Sequence, residues 1–312
     1  MKLIESSVEF LPQAEGLEGV YKQVEIAGRT CYKSEDKITE DSAKSFVDRM
    51  IASHHTAMLE HGTVYLCLPM EYSDIIYKYE KNQYSKVGDA YNGQAGDWHS
   101  YPIVSNLRVL VENNWLDDLQ YLCSPTEFHE KRYTFKFITD RGVSHELVRH
   151  RVFSFAQEST RYCNYSKDKF NNEITYIIPS WMHLTEGTYV RTFTDDGFNI
   201  TGTDYSFDVL EGFTDESLFL YHLLTSEKRY FALLDYGWKP QQARQVLPNA
   251  LKTEIVVTGF ASDWRHFFDL RMWGKTGAPH PDMLELSTKA MLKAQDAGIW
   301  MNIERQPSQF KQ

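Results

Sequence analysis

Apolar and polar positions along this chain follow two periods. Over residues 42–53, Ala43, Phe46, Val47 and Met50 recur at helical spacing, which predicts a helix. Past His61 the pattern becomes a short apolar run, Val64, Tyr65, Leu66, Cys67 and Leu68, which predicts a strand stopped by Pro69. Residues 71–125 are mixed and partly helical in pattern, with a glycine-rich break at 92–96. Residues 133–137 alternate apolar and polar, as a half-buried strand does. Asp140, Arg141 and Gly142 turn the chain, and Ser144 is placed to cap a short helix carrying Leu147 and Val148. Arg149, His150 and Arg151 then stand at the far end of a strand–turn–helix unit. Residues 190–216, with Asp195, Asp196, Gly197, Gly202, Asp204 and Asp208, read as an acidic, turn-rich surface excursion. Helical spacing returns over 219–235. A last helical pattern spans 261–271, with Trp264, Phe267 and Phe268 at i, i+3, i+4. This mixture predicts an α+β fold: one domain over residues 1–312, a central sheet flanked by helices, and insertions near 71–125 and 165–230.

Charge narrows the function classes. A net charge of -10 repels polyanions, so nucleic acid is not expected as a partner. It also makes any local cationic cluster informative. No apolar run approaches the ~18 residues that cross a membrane, so no membrane association is expected. The first residues carry Glu5, Glu9 and Glu15 rather than the features of a signal peptide, and the expected setting is a reduced cytoplasm. Cys31, Cys67, Cys123 and Cys163 are far apart in sequence and form no CxxC pair, so neither a zinc knuckle nor a dithiol motif is read, and no metal is expected.

Several familiar motifs fail. There is no GxGxxG. Gly274, Lys275 and Thr276 look like the end of a P-loop, but Asp269 stands where its first glycine belongs. His145 and His150 are spaced i, i+5, off the single helical face that a zinc-binding HExxH needs. Gly142, Val143 and Ser144 lack the second glycine of a nucleophile elbow.

Residues 149–162 form the one unusual cluster: three arginines, a histidine and the hydroxyl residues Ser154, Ser159 and Thr160 around an apolar turn. Arginine offers a rigid fork of donors that matches phosphate. Composition alone also fits a solvated face, salt-bridged to Glu146 and Glu158. The order of residues changes the weighting. Arg149, His150 and Arg151, then seven residues, then Ser159 resemble the signature of flavin-dependent thymidylate synthases, and Arg161 and Tyr162 continue it. Arg29 to Tyr32 resemble that family's early ARxSY turn, and His55 to His61 its HxSxxEH stretch, with Glu60 and His61 in place. Ala243 to Pro248 resemble its ARxxLP segment, and Trp264 to Arg271 its late WRHFFxLR helix. Four positions depart from the pattern: Ala57 where Ser or Thr is usual, Phe260 for Asn, Glu146 for Gln, and Gln157 for Glu, with Glu158 beside it.

The resemblance implies reductive methylation of dUMP to dTMP. Methylenetetrahydrofolate is the carbon donor, reduced FAD the hydride donor, and NADPH the reductant of the flavin. It implies Arg271 as the catalytic residue, activating the pyrimidine ring. Glu146, Arg149, Gln157, Glu158, Ser159, Arg161, Arg244 and Arg271 would bind dUMP; Ala57, Glu60, Arg149, His150, Arg151 and His266 would bind FAD. It further implies a homotetramer with sites shared between subunits. Two alternatives stay open: flavin-dependent transfer of another one-carbon group to a pyrimidine nucleotide, and a non-enzymatic nucleotide- or nucleic-acid-binding protein.

Overall fold

The computed structural model describes residues 1–92, 99–161, 163–167 and 170–299. Tyr162 and most of the glycine-rich break at 92–96 lie outside the described residues. Among them, the strands are β1 (Lys2–Ile4), β2 (Ser7–Phe10), β3 (Thr63–Pro69), β4 (Lys86–Val87), β5 (Tyr91–Asn92), β6 (His99–Asn106), β7 (Arg132–Asp140), β8 (Ser154–Gln157), β9 (Thr175–Ile177), β10 (Gly187–Thr188), β11 (Val190–Thr194), β12 (Gly197–Gly202), β13 (Tyr205–Asp208) and β14 (Lys252–Phe260). The α-helices are α1 (Gly16–Tyr32), α2 (Ser42–Ala52), α3 (Ser73–Glu80), α4 (Leu107–Glu112), α5 (Arg141–Leu147), α6 (Asp215–Asp235), α7 (Pro240–Ala243), α8 (Ala261–Arg271) and α9 (Pro281–Asp296).

Every residue of β14 after the first is buried, so this strand is covered on both faces. It pairs antiparallel with β7 and β8, and β2 closes the other side of β7 in the order β2-β7-β14-β8. On one face Phe135, Phe137, Ile255 and Val257 meet Trp264, Phe267 and Phe268 of α8 and Met283 and Leu286 of α9. Burying each such side chain stabilises the fold by about 1.5–3 kcal/mol before entropy is counted. On the opposite face α1 lays Ala27 against Ala156 and Val256. This four-stranded sheet carries helices on both faces, but it is one of four sheets among the described residues rather than a single central one. A second sheet, β3-β6-β4 with β5 on β6, packs with α1 and α2 around Val24, Phe46, Leu66 and Ile103. A third, β10-β1-β9, shares a core with α6 through Leu3, Tyr176, Leu220 and Tyr230.

Several local expectations need correction. Asp140, not Ser144, caps α5: its carboxylate accepts from the Val143 N–H at 2.9 Å, whereas Ser144 is buried inside the helix and donates to the Arg141 carbonyl. Most of the 190–216 segment, residues 190–208, is a regular antiparallel meander, β11-β12-β13, with Ile200 and Phe207 buried. The segment read as an early turn, Arg29 to Tyr32, is the last turn of α1, closed by Lys33 at φ 49°. Residues before Pro248 form a short 3-10 turn, Arg244–Val246. The pattern read as the last helix is followed by another, α9, with Pro281 at its start.

Candidate functional site

Two segments far apart in sequence deliver the central charges. Helix α8 is fixed by its apolar face, and Trp264 also donates its indole N–H to the Tyr133 carbonyl at 3.1 Å. The helix therefore presents Arg271 at its end in a defined place. Helix α5 ends where Arg149 and His150 donate their backbone N–H groups to Glu146 and Leu147, and the Phe153 N–H then closes on His150 before β8 begins. Gly259 makes this turn fit: a Cβ there would lie 2.1 Å from the Phe153 ring, which packs on Trp264 at 4.5 Å.

Where these ends meet, each of the three nitrogens of the Arg271 guanidinium makes a hydrogen bond. Its Nε donates to His150 Nε2 at 3.0 Å, Nη1 to the Glu146 carboxylate at 2.8 Å, and Nη2 to the Glu146 carbonyl at 3.3 Å. His150 is buried against Phe267, and burial, joined by the charges of Arg271 and His266, lowers its pKa to about 4. It is therefore neutral near pH 7 and offers Nε2 as the acceptor. Three residues from the sequence reading thus converge: Glu146, His150 and Arg271.

Around this junction lie three cavities. Glu146 lines one of about 340 Å³, with Asp140, Trp181, Asn249, His280 and Asp282. Helical spacing sends Arg141 and His145 to another side of α5, into a second cavity of about 320 Å³ shared with Thr160, Arg244 and Asn249. There Arg244 donates to Thr160 Oγ1 at 2.7 Å. Arg141 donates to the Glu158 carbonyl and to Thr253 Oγ1, both at 3.3 Å. Burial, offset in part by Tyr165 and Glu158, pulls the Arg141 pKa down, and the Arg244 charge adds to that. Two like charges facing one cavity suit an anion.

The largest of the three cavities, about 600 Å³, lies beyond Arg151, with Glu60, Lys86, Arg108, Arg132 and Phe260 on its wall. Lys86 is ion-paired with Glu130, and Arg108 with Glu60 and Glu112. Arg132 donates to the Glu60 carbonyl at 3.1 Å, but its buried Nε has no partner among the described residues. Phe260 supplies an aromatic face under both Arg132 and Lys86, at 5.4 and 4.4 Å. His61 is wholly buried with Nδ1 2.8 Å from Thr258 Oγ1, and burial together with Arg132 lowers its pKa to about 3. Ala57 and His266 are exposed.

The other expected residues divide. Arg149, Arg151 and Arg161 are exposed, and Ser159 is half-buried with its N–H on the Cys31 carbonyl. Gln157 turns inward, donating to Ser144 Oγ at 2.8 Å and Thr253 Oγ1 at 3.2 Å. Glu158 is buried and accepts from Lys252 at 3.0 Å. It belongs to a lysine–carboxylate cluster centred on Glu254, which pairs with Lys33, Lys252 and, at 2.6 Å, Lys136. Sequence reasoning missed Lys86, Arg108, Arg132, Arg141 and His145. Arg132 and Arg141 flank β7, and their signal was a cation at each end of a strand otherwise built for burial.

Comparison with known proteins bears on the same segments. The model of a family described as thymidylate synthase complementing protein matches residues 105–293. A flavin-dependent thymidylate synthase from Geobacter sulfurreducens is 29% identical over 158 residues, 50% of this chain and 55% of its own length. One from Corynebacterium efficiens is 34% identical over 134 residues, 42% of this chain and 45% of its own. The chain thus spans about half the length of the curated relatives it matches. Among solved structures, a UMP/dUMP methylase from Streptomyces cacaoi bound with 5-Br dUMP aligns over 95% of this chain and 93% of that chain, at TM-score 0.41 and 16% identity. Thymidylate synthase X from Helicobacter pylori with FAD and dUMP aligns over 97% and 99%, at TM-score 0.37 and 14% identity.

Proposed function

Because the chain belongs to the thymidylate synthase complementing protein family, we propose that it converts dUMP to dTMP by reductive methylation. Methylenetetrahydrofolate is the carbon donor and NADPH the source of reducing equivalents. The observation that carries this reading is the junction of Arg271 with Glu146 and His150, built from the two motif segments.

Methylation requires C5 of uracil to act as a nucleophile. A cation at the pyrimidine edge does this by stabilising the anion formed when N3 gives up its proton, so that electron density moves to C5. Arg271 suits the task because a guanidinium keeps its charge and because three hydrogen bonds fix its plane. The neutral imidazole of His150 supports it without adding a competing charge. Arg244, with Arg141 behind it, holds the nucleotide phosphate, and Ser159 and Arg161 complete the grip on phosphate and sugar.

A dinucleotide flavin fits the largest cavity by the chemistry of its wall. Arg132 and Arg151 have no carboxylate within ion-pair distance among the described residues and suit a diphosphate, while the Phe260 ring adds an apolar surface to the same wall. When bound, the reduced flavin supplies the hydride that completes the methyl group. Arg149 and Arg151 come just before Val152, which is 64% exposed, so the motif tip pairs an open apolar side chain with two cations. That surface supports a homotetramer in which a second subunit completes each site.

The test is to purify the protein, identify any released flavin, and follow dUMP, folate and NADPH into product by mass. Yellow protein releasing FAD and forming dTMP is the expected result. Colourless protein that takes up no added FAD, or a product carrying another one-carbon group, refutes the proposal. Light scattering that finds an active monomer refutes the shared-site arrangement.

A further inference from the structure

Outside these cavities, the fold gathers three metal-ligating side chains that the sequence keeps well apart. Strand β3 carries Cys67, and an isolated bridge between Leu66 and Leu122 brings the 122–129 loop alongside it. The Cys123 N–H donates to the Tyr65 carbonyl at 3.0 Å, which sets Cys123 beside Cys67. Their sulfurs lie 2.9 Å apart. His129, which is buried, places Nε2 3.9 Å from Cys67 Sγ and 3.8 Å from Cys123 Sγ.

We propose that Cys67, Cys123 and His129 bind a thiophilic divalent cation, with Zn²⁺ the best fit. Bonds of about 2.3 Å to sulfur and about 2.0–2.1 Å to nitrogen put tetrahedral ligand atoms about 3.5–3.8 Å apart, so the two sulfurs must open by about 0.9 Å and the imidazole close on them by about 0.3 Å. A thiol pair alone would equally suit a disulfide. The buried imidazole facing both sulfurs is what favours an ion. Two thiolates and one divalent cation give a neutral centre, which suits a half-buried place.

The proton balance is complete. Each thiol releases its proton to solvent as its sulfur binds. His129 Nε2, 3.1 Å from the Leu66 carbonyl, exchanges that hydrogen bond for the metal, and its proton moves to Nδ1. Thr126 Oγ1 lies 2.9 Å from Nδ1 and can accept it once the Thr126 backbone N–H, which donates to Nδ1 at 3.1 Å, turns to solvent. Such an outer partner is the usual means of orienting a metal-bound histidine. A water takes the fourth position, and the released Leu66 carbonyl can accept a hydrogen bond from it. The ion would clip β3 to the loop that leads, through Lys131, into Arg132 on the wall of the largest cavity. Its role is structural, because three ligands drawn from a strand and a loop lock the two together.

The experiment titrates the full-length, reduced, metal-stripped protein with Co²⁺ and then Zn²⁺. One equivalent of Co²⁺ should give thiolate-to-cobalt charge-transfer absorption, which Zn²⁺ abolishes. Zn²⁺ should also protect Cys67 and Cys123, but not Cys31, from iodoacetamide, as peptide mass mapping reads. Thr126→Val should weaken Zn²⁺ binding about 10- to 100-fold while leaving both sulfurs in place. Cys67→Ser and His129→Asn should abolish the charge-transfer band; if either fails to fold, the protection pattern in the wild type still decides. Absence of the band, equal alkylation with and without Zn²⁺, or recovery of Cys67 and Cys123 as a disulfide from protein kept reduced would overturn the proposal.

Discussion

Replacing Arg271 separates its role in the reaction from its role in the fold. Its side chain and that of Glu146 are 20% and 27% exposed, so their ion pair is partly screened and stabilises the fold by no more than about 1 kcal/mol. The same guanidinium makes three directed hydrogen bonds that fix the plane offered to a pyrimidine. Arg271→Lys keeps the charge but cannot donate to His150 and Glu146 in that fork. Losing one charged hydrogen bond costs about 1.5–3 kcal/mol. Expressed in the transition state, that slows turnover about tenfold to a couple of hundredfold. Arg271→Ala should cost more, since no cation would remain. The second readout is His150. With one of its two charged neighbours gone, its pKa should rise from about 4 toward the ordinary histidine value, measurable by NMR of the ring protons. The assay compares bound FAD, dUMP affinity, dTMP formation and the His150 titration in wild type, Arg271→Lys and Arg271→Ala. Near-normal turnover in Arg271→Ala, or loss of flavin with dUMP binding intact, would refute the reasoning.

Other outcomes follow from the same geometry. Glu146→Gln keeps an acceptor for Arg271 but removes the opposing charge, so KM for dUMP should fall by up to about fivefold, the worth of a partly screened pair; an unchanged or higher KM counts against Arg271 meeting the nucleotide. Gly259→Ala drives a methyl into Phe153 and should destabilise the fold by about 1–3 kcal/mol in urea unfolding, as overpacking does; adding Phe153→Leu should recover part of it. His61 and His150 have pKa values lowered to about 3 and 4, so the unfolded state binds more protons than the folded state just below the ordinary histidine value. Their contribution is full above about pH 6.5 and is lost as pH falls toward those lowered values, which thermal unfolding between pH 7 and 4 should register as a falling Tm. Replacing all four cysteines by Ser should leave measurable dTMP formation; complete loss traced to Cys163 alone, in folded and flavin-loaded protein, would mean the chemistry uses a thiol.

The parts of the fold that were legible are those whose period is set by one buried face. Helix α8 begins and ends as its pattern predicts because Trp264, Phe267 and Phe268 all point at one sheet. Strand β7 was read correctly as a strand, yet Thr134, on the face expected to be open, is buried against Thr258. Periodicity reports which residues want burial, not how many neighbours arrive to supply it. The meander over 190–208 was hidden for a related reason. Acidic and glycine residues at its turns outweighed strands whose buried positions, Ile200 and Phe207, are few.

At the site, legibility followed chain order. Arg149 to Ser159 could be recognised because the motif is contiguous, and Arg271 because its helix is. What contiguity cannot convey is direction. Gln157 and Glu158 are adjacent in sequence but on opposite faces of the chain: one ties Ser144 of α5 to Thr253 of β14, and the other joins the lysine cluster around Glu254. An acidic role in nucleotide binding was read for Glu158 from its place in line, but its carboxylate is committed to Lys252 and buried. That commitment also explains how Glu254 can sit in a strand buried on both faces. Burial alone would raise its pKa, but Lys252, Lys33 and Lys136 hold the carboxyl well below the usual range, and Glu158 supplies the second negative charge that lets three lysines gather there. Neutralising one acid should therefore damage the cluster more than the loss of its own pair, because the lysines that remain would repel one another at close range. A double-mutant cycle on Glu158→Gln and Glu254→Gln, read in urea unfolding, should give a coupling of about 0.5–3 kcal/mol; strictly additive losses would mean that the two acids do not share the lysines.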